Sequence, residues 1–244
     1  MLAPTSLALA AELDIVRHGT MHSTNRGTCV YCRKRRYLTR DHLPPQILFA
    51  KPRPSNLVTV PACNSCNQKA SRDDHYFGLV IKAGIDSEQF PREFQASLDD
   101  IRKLGTAARR GLAKRMLAGH SVELAEASSG LLVQRFRYGV DKERVHAVIE
   151  RIVRGFYFRR RNFRLPPSHR VWTALAESPS AQEASFIQAN GSFFVALDAE
   201  PLSDIGSGVF THRGLVLPSR SYRSFWYFSF FHKYVFLAAT LPRA

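Results

Sequence analysis

Cysteine is scarce in this chain and confined. Its four cysteines all fall between residues 29 and 66. A secreted domain stapled by disulfides spreads its cysteines through the fold, so that architecture is excluded and a reducing compartment is expected. Long apolar runs are missing too. The stretch FWYFSFFHKYVFLAAT, from Phe225, is broken by His232 and Lys233 and is too short and polar for a bilayer span. It reads as one or two buried strands. The opening MLAPTSLALAAEL lacks the basic n-region of a secretory signal. A cytoplasmic protein with no membrane partner is therefore expected. Internal repeats and low-complexity tracts are absent as well. Apolar residues make up 45% of the 244, with 17 phenylalanines, which fills a real core and excludes general disorder.

Acidic residues are also in short supply. Lys and Arg number 35 against 20 Asp and Glu, a net charge of +15 that favours a polyanionic partner, usually nucleic acid. The excess is uneven. Residues 1–90 hold 12 basic against 7 acidic residues, residues 91–170 hold 18 against 8, and residues 171–244 hold 5 against 5. The basic surface belongs to the first two thirds of the chain.

The pattern along the chain divides it into four parts. Residues 1–24 form an N-terminal extension with a short helix over 1–16. Residues 25–80 hold the cysteines. Residues 81–170 are basic and mainly helical, with helices over 91–118 and a strand in LLVQRFRYGV. In DKERVHAVIERIVRGFYF, apolar residues recur at Val145, Val148, Ile149, Ile152, Val153, Phe156 and Tyr157. That spacing predicts an amphipathic helix, capped by Asp141, whose other face carries Arg144, Arg151 and Arg154 as a clamp for duplex phosphates. Residues 171–244 show short aromatic, β-branched runs, SFFVAL among them, and predict an antiparallel sheet. The fold class is α+β.

CVYC (Cys29, Cys32) and CNSC (Cys63, Cys66) are two knuckles 30 residues apart. Each CxxC turn brings two sulfurs to one ion, and the pair predicts a closed Cys₄ zinc site. Four thiolates leave no coordination position for water, so such a zinc is structural. It closes the loop that carries Asp41 and His42.

Between and just beyond the knuckles stand Asp41, His42, Asn56 and Asn67. The order CxxC, DHxxP, NL, CxxC, then N directly after and K two further on, resembles a zinc-bearing HNH endonuclease over residues 29–75. The resemblance implies a ββα-metal module that hydrolyses DNA phosphodiester bonds, as a bacterial or phage defence or mobile-element nuclease. It makes His42 the general base, Asp41 and Asn67 ligands of one catalytic Mg²⁺ or Mn²⁺, and Asn56 the residue that pins the loop. His75, two helical turns on from Asn67, is the alternative ligand. Arg33, Lys34, Arg35, Arg36, Arg40 and Lys69 are expected on phosphates, of DNA first and RNA as the other polymer. A non-catalytic zinc-ribbon module that only binds nucleic acid is the rival reading. Two cuts on a duplex call for two sites, so a homodimer or a partner protein held by the C-terminal region is expected.

Overall fold

The computed structural model describes residues 26–103, 105–106, 111, 121–126, 132–137, 139–218 and 221–243. The helix expected over residues 1–16 lies outside them, as does most of 104–120. The first layer is a three-stranded antiparallel sheet of β1 (Arg26–Thr28), β2 (Arg35–Leu43) and β3 (Val58–Cys63), with β2 in the middle. A 19-residue helix, α1 (Asn64–Lys82), leaves β3 directly at the second knuckle. It turns into α2 (Pro91–Lys103). The hairpin of β4 (Ser121–Glu126) and β5 (Leu132–Arg137) follows, and β5 lies within the LLVQRFRYGV run.

The next helix, α3 (Lys142–Arg161), holds these parts together. All seven apolar positions of its stripe are buried, none more than 5% exposed. Asp141 caps it, accepting a hydrogen bond from the Arg144 amide at 3.2 Å. The apolar stripe joins a single cluster that also contains Leu43 and Val60 of the first sheet, Phe77 and Ile81 of α1, and Phe210, Trp226 and Phe228 further on. Burial of such side chains contributes roughly 1.5–3 kcal/mol each.

The last third is a five-stranded antiparallel sheet in the order β6 (His169–Leu175), β10 (Tyr234–Pro242), β9 (Ser224–Phe230), β8 (Phe210–Val216), β7 (Ser203–Ile205). Both of its faces are covered, which explains why β9 reads SFWYFSF without polar alternation. Trp226, Phe228 and Phe230 face the large cluster, while Phe225 faces a smaller one with Leu197 and Ala239. The cover on that second face is α4 (Ala181–Ala189) and α5 (Gly191–Ala196). Here the sequence reading needs correction. SFFVAL forms α5 rather than a strand, because a short apolar run has no period of its own. Phe193 stacks on Phe225 with centroids 4.5 Å apart, and that contact selects the helix. The preceding α4 carried a legible signal in its capping box, Ser180 with Glu183. No described helix is long and apolar enough to cross a membrane.

Gly155 sets how closely α3 approaches β2. A Cβ built there would lie 2.1 Å from Cδ1 of the fully buried Leu43. Gly155→Ala gains about 1 kcal/mol of helix propensity. It costs roughly 1–3 kcal/mol of overpacking. The variant is expected to melt at lower temperature by calorimetry, and an unchanged or higher midpoint would contradict this account of the contact.

Candidate functional site

The two knuckles converge as their spacing requires. The four sulfurs lie within 4.8 Å of one another, with Cys29 and Cys63 buried and Cys32 and Cys66 half-buried. Cys32 Sγ and Cys63 Sγ are 3.7 Å apart. A tetrahedron of about 2.3 Å zinc–sulfur bonds has edges of roughly 3.8 Å, so the cluster is already at the right size for the ion. The Cys63 amide donates to Cys29 Sγ at 3.3 Å, steadying a sulfur that would carry charge. Burial, and then the crowding of Cys63, Cys29 and Cys32, pushes the Cys66 thiol well up. A bound cation removes that conflict by holding all four as thiolates. The cysteines are thus arranged to bind a metal ion, in a manner compatible with structural zinc. Among the described residues they are the only group of three or more His, Cys, Asp or Glu side chains so placed.

Asp41 and His42 are neighbours in β2, which remains paired with β3 through Leu43. Successive side chains on a strand point to opposite faces, and these two part company. Asp41 turns inward and is 4% exposed. Tyr31, from within the first knuckle, donates its hydroxyl to Asp41 Oδ2 at 2.5 Å. Arg151 of α3 places Nη1 3.8 Å from the same oxygen, and its Nη2 donates to Asp74 of α1. Burial works to lower the Arg151 guanidinium, and Asp41 and Asp74 more than offset it. Burial raises the Asp74 carboxyl to about 6, against the pull of the Arg151 guanidinium that it binds.

His42 faces the other way, into a pocket of about 590 Å³ lined by Arg40, Gln46, Lys51, Arg53 and Thr59 among others. Gln46 donates its amide to His42 Nε2 at 2.7 Å, which leaves Nε2 as the accepting, unprotonated nitrogen. Burial lowers the His42 pKa. Asp41 opposes that, and the charges of Arg53 and Arg40 reinforce it. The imidazole is therefore neutral at pH 7 and able to take a proton.

The remaining expected residues are scattered around this frame. Asn56 does pin its loop, but to the C-terminal sheet: its amide donates to the Asp204 carbonyl at 3.0 Å. Asn67 sits in the first turns of α1 rather than capping it, and donates to Thr39 Oγ1 at 3.1 Å and the Arg40 carbonyl at 3.3 Å. His75 is exposed in an adjoining cleft of about 910 Å³ beside Asp74, which shares Gln46, Lys51 and Arg53 with the His42 pocket. The expected divalent-ion pair is thus not assembled as it stands. Asp41 is closed off by Tyr31 and Arg151, whose guanidinium supplies the positive charge an ion would bring, and Asn67 bonds elsewhere on β2.

The Arg face expected on α3 also needs correction. Arg151 is 8% exposed, Arg154 pairs with Glu150 at 2.7 Å, and Arg144 pairs with Asp73 at 2.7 Å while lying over the Tyr76 ring. These arginines fasten α3 to α1 and to itself. Sequence reasoning missed Tyr31, Gln46, Lys51, Arg53 and Asp74, and placed Arg151 on the phosphate-facing side rather than between Asp41 and Asp74. Gln46 had a local signal, four residues after His42. Arg151 had none, since its stripe reads as exposed on a lone helix.

Removing one partner of a buried charge pair costs roughly 3–5 kcal/mol. Arg151→Met leaves Asp41 and Asp74 without their cation, so its denaturant midpoint is expected to fall by an amount of that order, and Asp74→Asn in the same chain should restore part of the loss. Metal analysis is expected to find one zinc per chain, and Cys63→Ser or strong chelation to remove it and melt the first sheet; a metal-free chain with an unchanged spectrum would contradict the clamp. No family model, no curated protein and no solved structure matches the chain.

Proposed function

We propose that the protein is a nucleic-acid phosphodiesterase, built as a zinc-clamped ββα module of the HNH type, with DNA as substrate and His42 as general base. One observation carries the reading. A neutral histidine with its lone pair on Nε2 stands in a pocket whose charged lining residues, among the described ones, are Arg40, Lys51 and Arg53. A phosphodiester attracted there meets three cations, and a water taking the place of the Gln46 amide at Nε2 is deprotonated as it attacks phosphorus. The P–O bond to the leaving oxygen then breaks, that oxygen keeping the electron pair and taking a proton from solvent water, and the cations spread the charge of the pentacoordinate phosphate. Arg and Lys suit this role because they contact phosphate oxygens directly. No step is routed through a divalent ion at Asp41 and Asn67.

The zinc acts at one remove. It fixes the ends of the segment from Cys29 to Cys66, and β2 inside that segment sets where His42 points. Positioned general-base catalysis is worth about 10²–10⁴ in rate.

A second reading is favoured by a different observation. With Asp41 committed to Tyr31 and Arg151, the module has the form of a binding unit that holds nucleic acid without cutting it. The two are separated by incubating the full chain with supercoiled plasmid and with labelled DNA and RNA strands, in Mg²⁺, in Mn²⁺ and in EDTA. Under the hydrolytic reading His42→Ala lowers cutting at least about 100-fold, with zinc content and DNA affinity unchanged. The parent's rate should climb with pH about a midpoint below 6.5, because burial lowers the His42 pKa and the neutral form is the active one. Equal cutting by the variant defeats the mechanism. Intact binding with no cutting by the parent in any of the three conditions selects the binding unit.

A further inference from the structure

The edge of the first sheet carries a second feature that neither zinc binding nor His42 uses. Residues 26–40 contain six Lys and Arg and no acid. In the β1–β2 register, Arg26 pairs with Tyr37, Gly27 with Arg36 and Thr28 with Arg35. Tyr37 is 55% exposed, which is unusual for a ring on a short sheet. Its one described aromatic contact is the Arg26 guanidinium, 5.0 Å from the ring centroid. Among the described residues, Lys34, Arg35 and Arg36 form no ion pair or side-chain hydrogen bond. With Arg26, Tyr37, Asn64 and Ser65 they line a hollow of about 460 Å³. Like charges gathered on one edge repel, and among the described residues no carboxylate pairs with Lys34, Arg35 or Arg36.

We propose that this hollow is a docking site for an unpaired stretch of nucleic acid. A base stacks on the open face of Tyr37, whose other contact is Arg26, and the flanking phosphates lie against Lys34, Arg35 and Arg36. The ring decides the form of the ligand. A duplex keeps its base faces stacked inside and offers phosphates and groove edges, which need cations only. A single strand offers base faces as well, and an aromatic platform amid cations answers both. The hollow lies at the start of β2, whereas His42 lies near its end, five residues on from Tyr37 and on the other face by strand alternation. The inference rests on the nucleic-acid reading of the module and is independent of its chemistry.

The test uses the full chain carrying His42→Ala, so that no probe is cut, and fluorescence anisotropy with a labelled single-stranded DNA of about 12 nucleotides, the matching RNA, and the DNA duplex of the same sequence. Tyr37→Ala is expected to weaken single-strand binding about tenfold, as loss of one stacked base does, and duplex binding by less than roughly twofold. Tyr37→Phe should bind like the parent, since stacking needs the ring and not the hydroxyl. Arg35→Glu with Arg36→Glu should weaken both forms and flatten the salt dependence. Zinc content reports that each variant is folded. The proposal is overturned if Tyr37→Ala leaves single-strand affinity unchanged, if it weakens duplex equally, if Tyr37→Phe is as weak as the alanine variant, or if the parent binds none of the probes. Failure of the hydrolytic reading shows separately, as a wild-type chain that binds these strands through Tyr37 and does not cut them.

Discussion

Arg151 brings a full positive charge to a place where it is 8% exposed, and two other parts of the chain are organised to receive it. Asp41 comes from the first sheet, Asp74 from α1, and the arginine from α3. A buried charge left alone is costly enough to undo a domain, so each element is constrained by the other two. The first sheet cannot shift against α3 without exposing a carboxylate or stranding the guanidinium. This triad acts together with the close-packed apolar cluster around it. It fixes the register at which β2, and with it His42, is presented. It also decides that Asp41 faces the core while His42 faces the cationic pocket.

The four cysteines work on the same strand from the other end. A segment of this size has little apolar surface of its own, and the four cysteines are arranged to hold an ion that would substitute for the core it lacks. Clamp and triad together hold β2 at its start and near its end. Tyr31 links them, since it belongs to the first knuckle and hydrogen-bonds Asp41. His42 stands on a strand held in this way and has the Gln46 amide against its Nε2 at 2.7 Å.

Legibility differed between residues for physical reasons. The knuckles were legible because two sulfurs on a CxxC turn are a local arrangement, and the α3 stripe because a 3.6-residue period repeats whatever packs against it. His42 and Asp41 could be picked out from their order between the knuckles. Their separation onto two faces could also be anticipated from strand geometry, once β2 was known to run unbroken to Leu43. SFFVAL could not be read, because six apolar residues satisfy either secondary structure and only Phe225 discriminates. Arg151 could not be read either. On a helix considered alone it belongs to the polar face, and its burial depends on two carboxylates 77 and 110 residues away.

The sequence by itself determined the four-cysteine arrangement able to bind a metal ion, the strand that carries Asp41 and His42, the face of α3 that is buried, and the basic character of the first two thirds. All of these depend on neighbours within a turn or a few turns of chain. Tertiary structure alone decided which charges are free. It took Arg144, Arg151 and Arg154 out of the basic surface by pairing them with acids, and it left Arg26, Lys34, Arg35, Arg36, Lys51 and Arg53 facing solvent-open hollows. Charge counts add along a sequence, whereas pairing depends on distances that only the folded chain sets, and those distances separate a cation that holds the protein together from one left to hold a ligand.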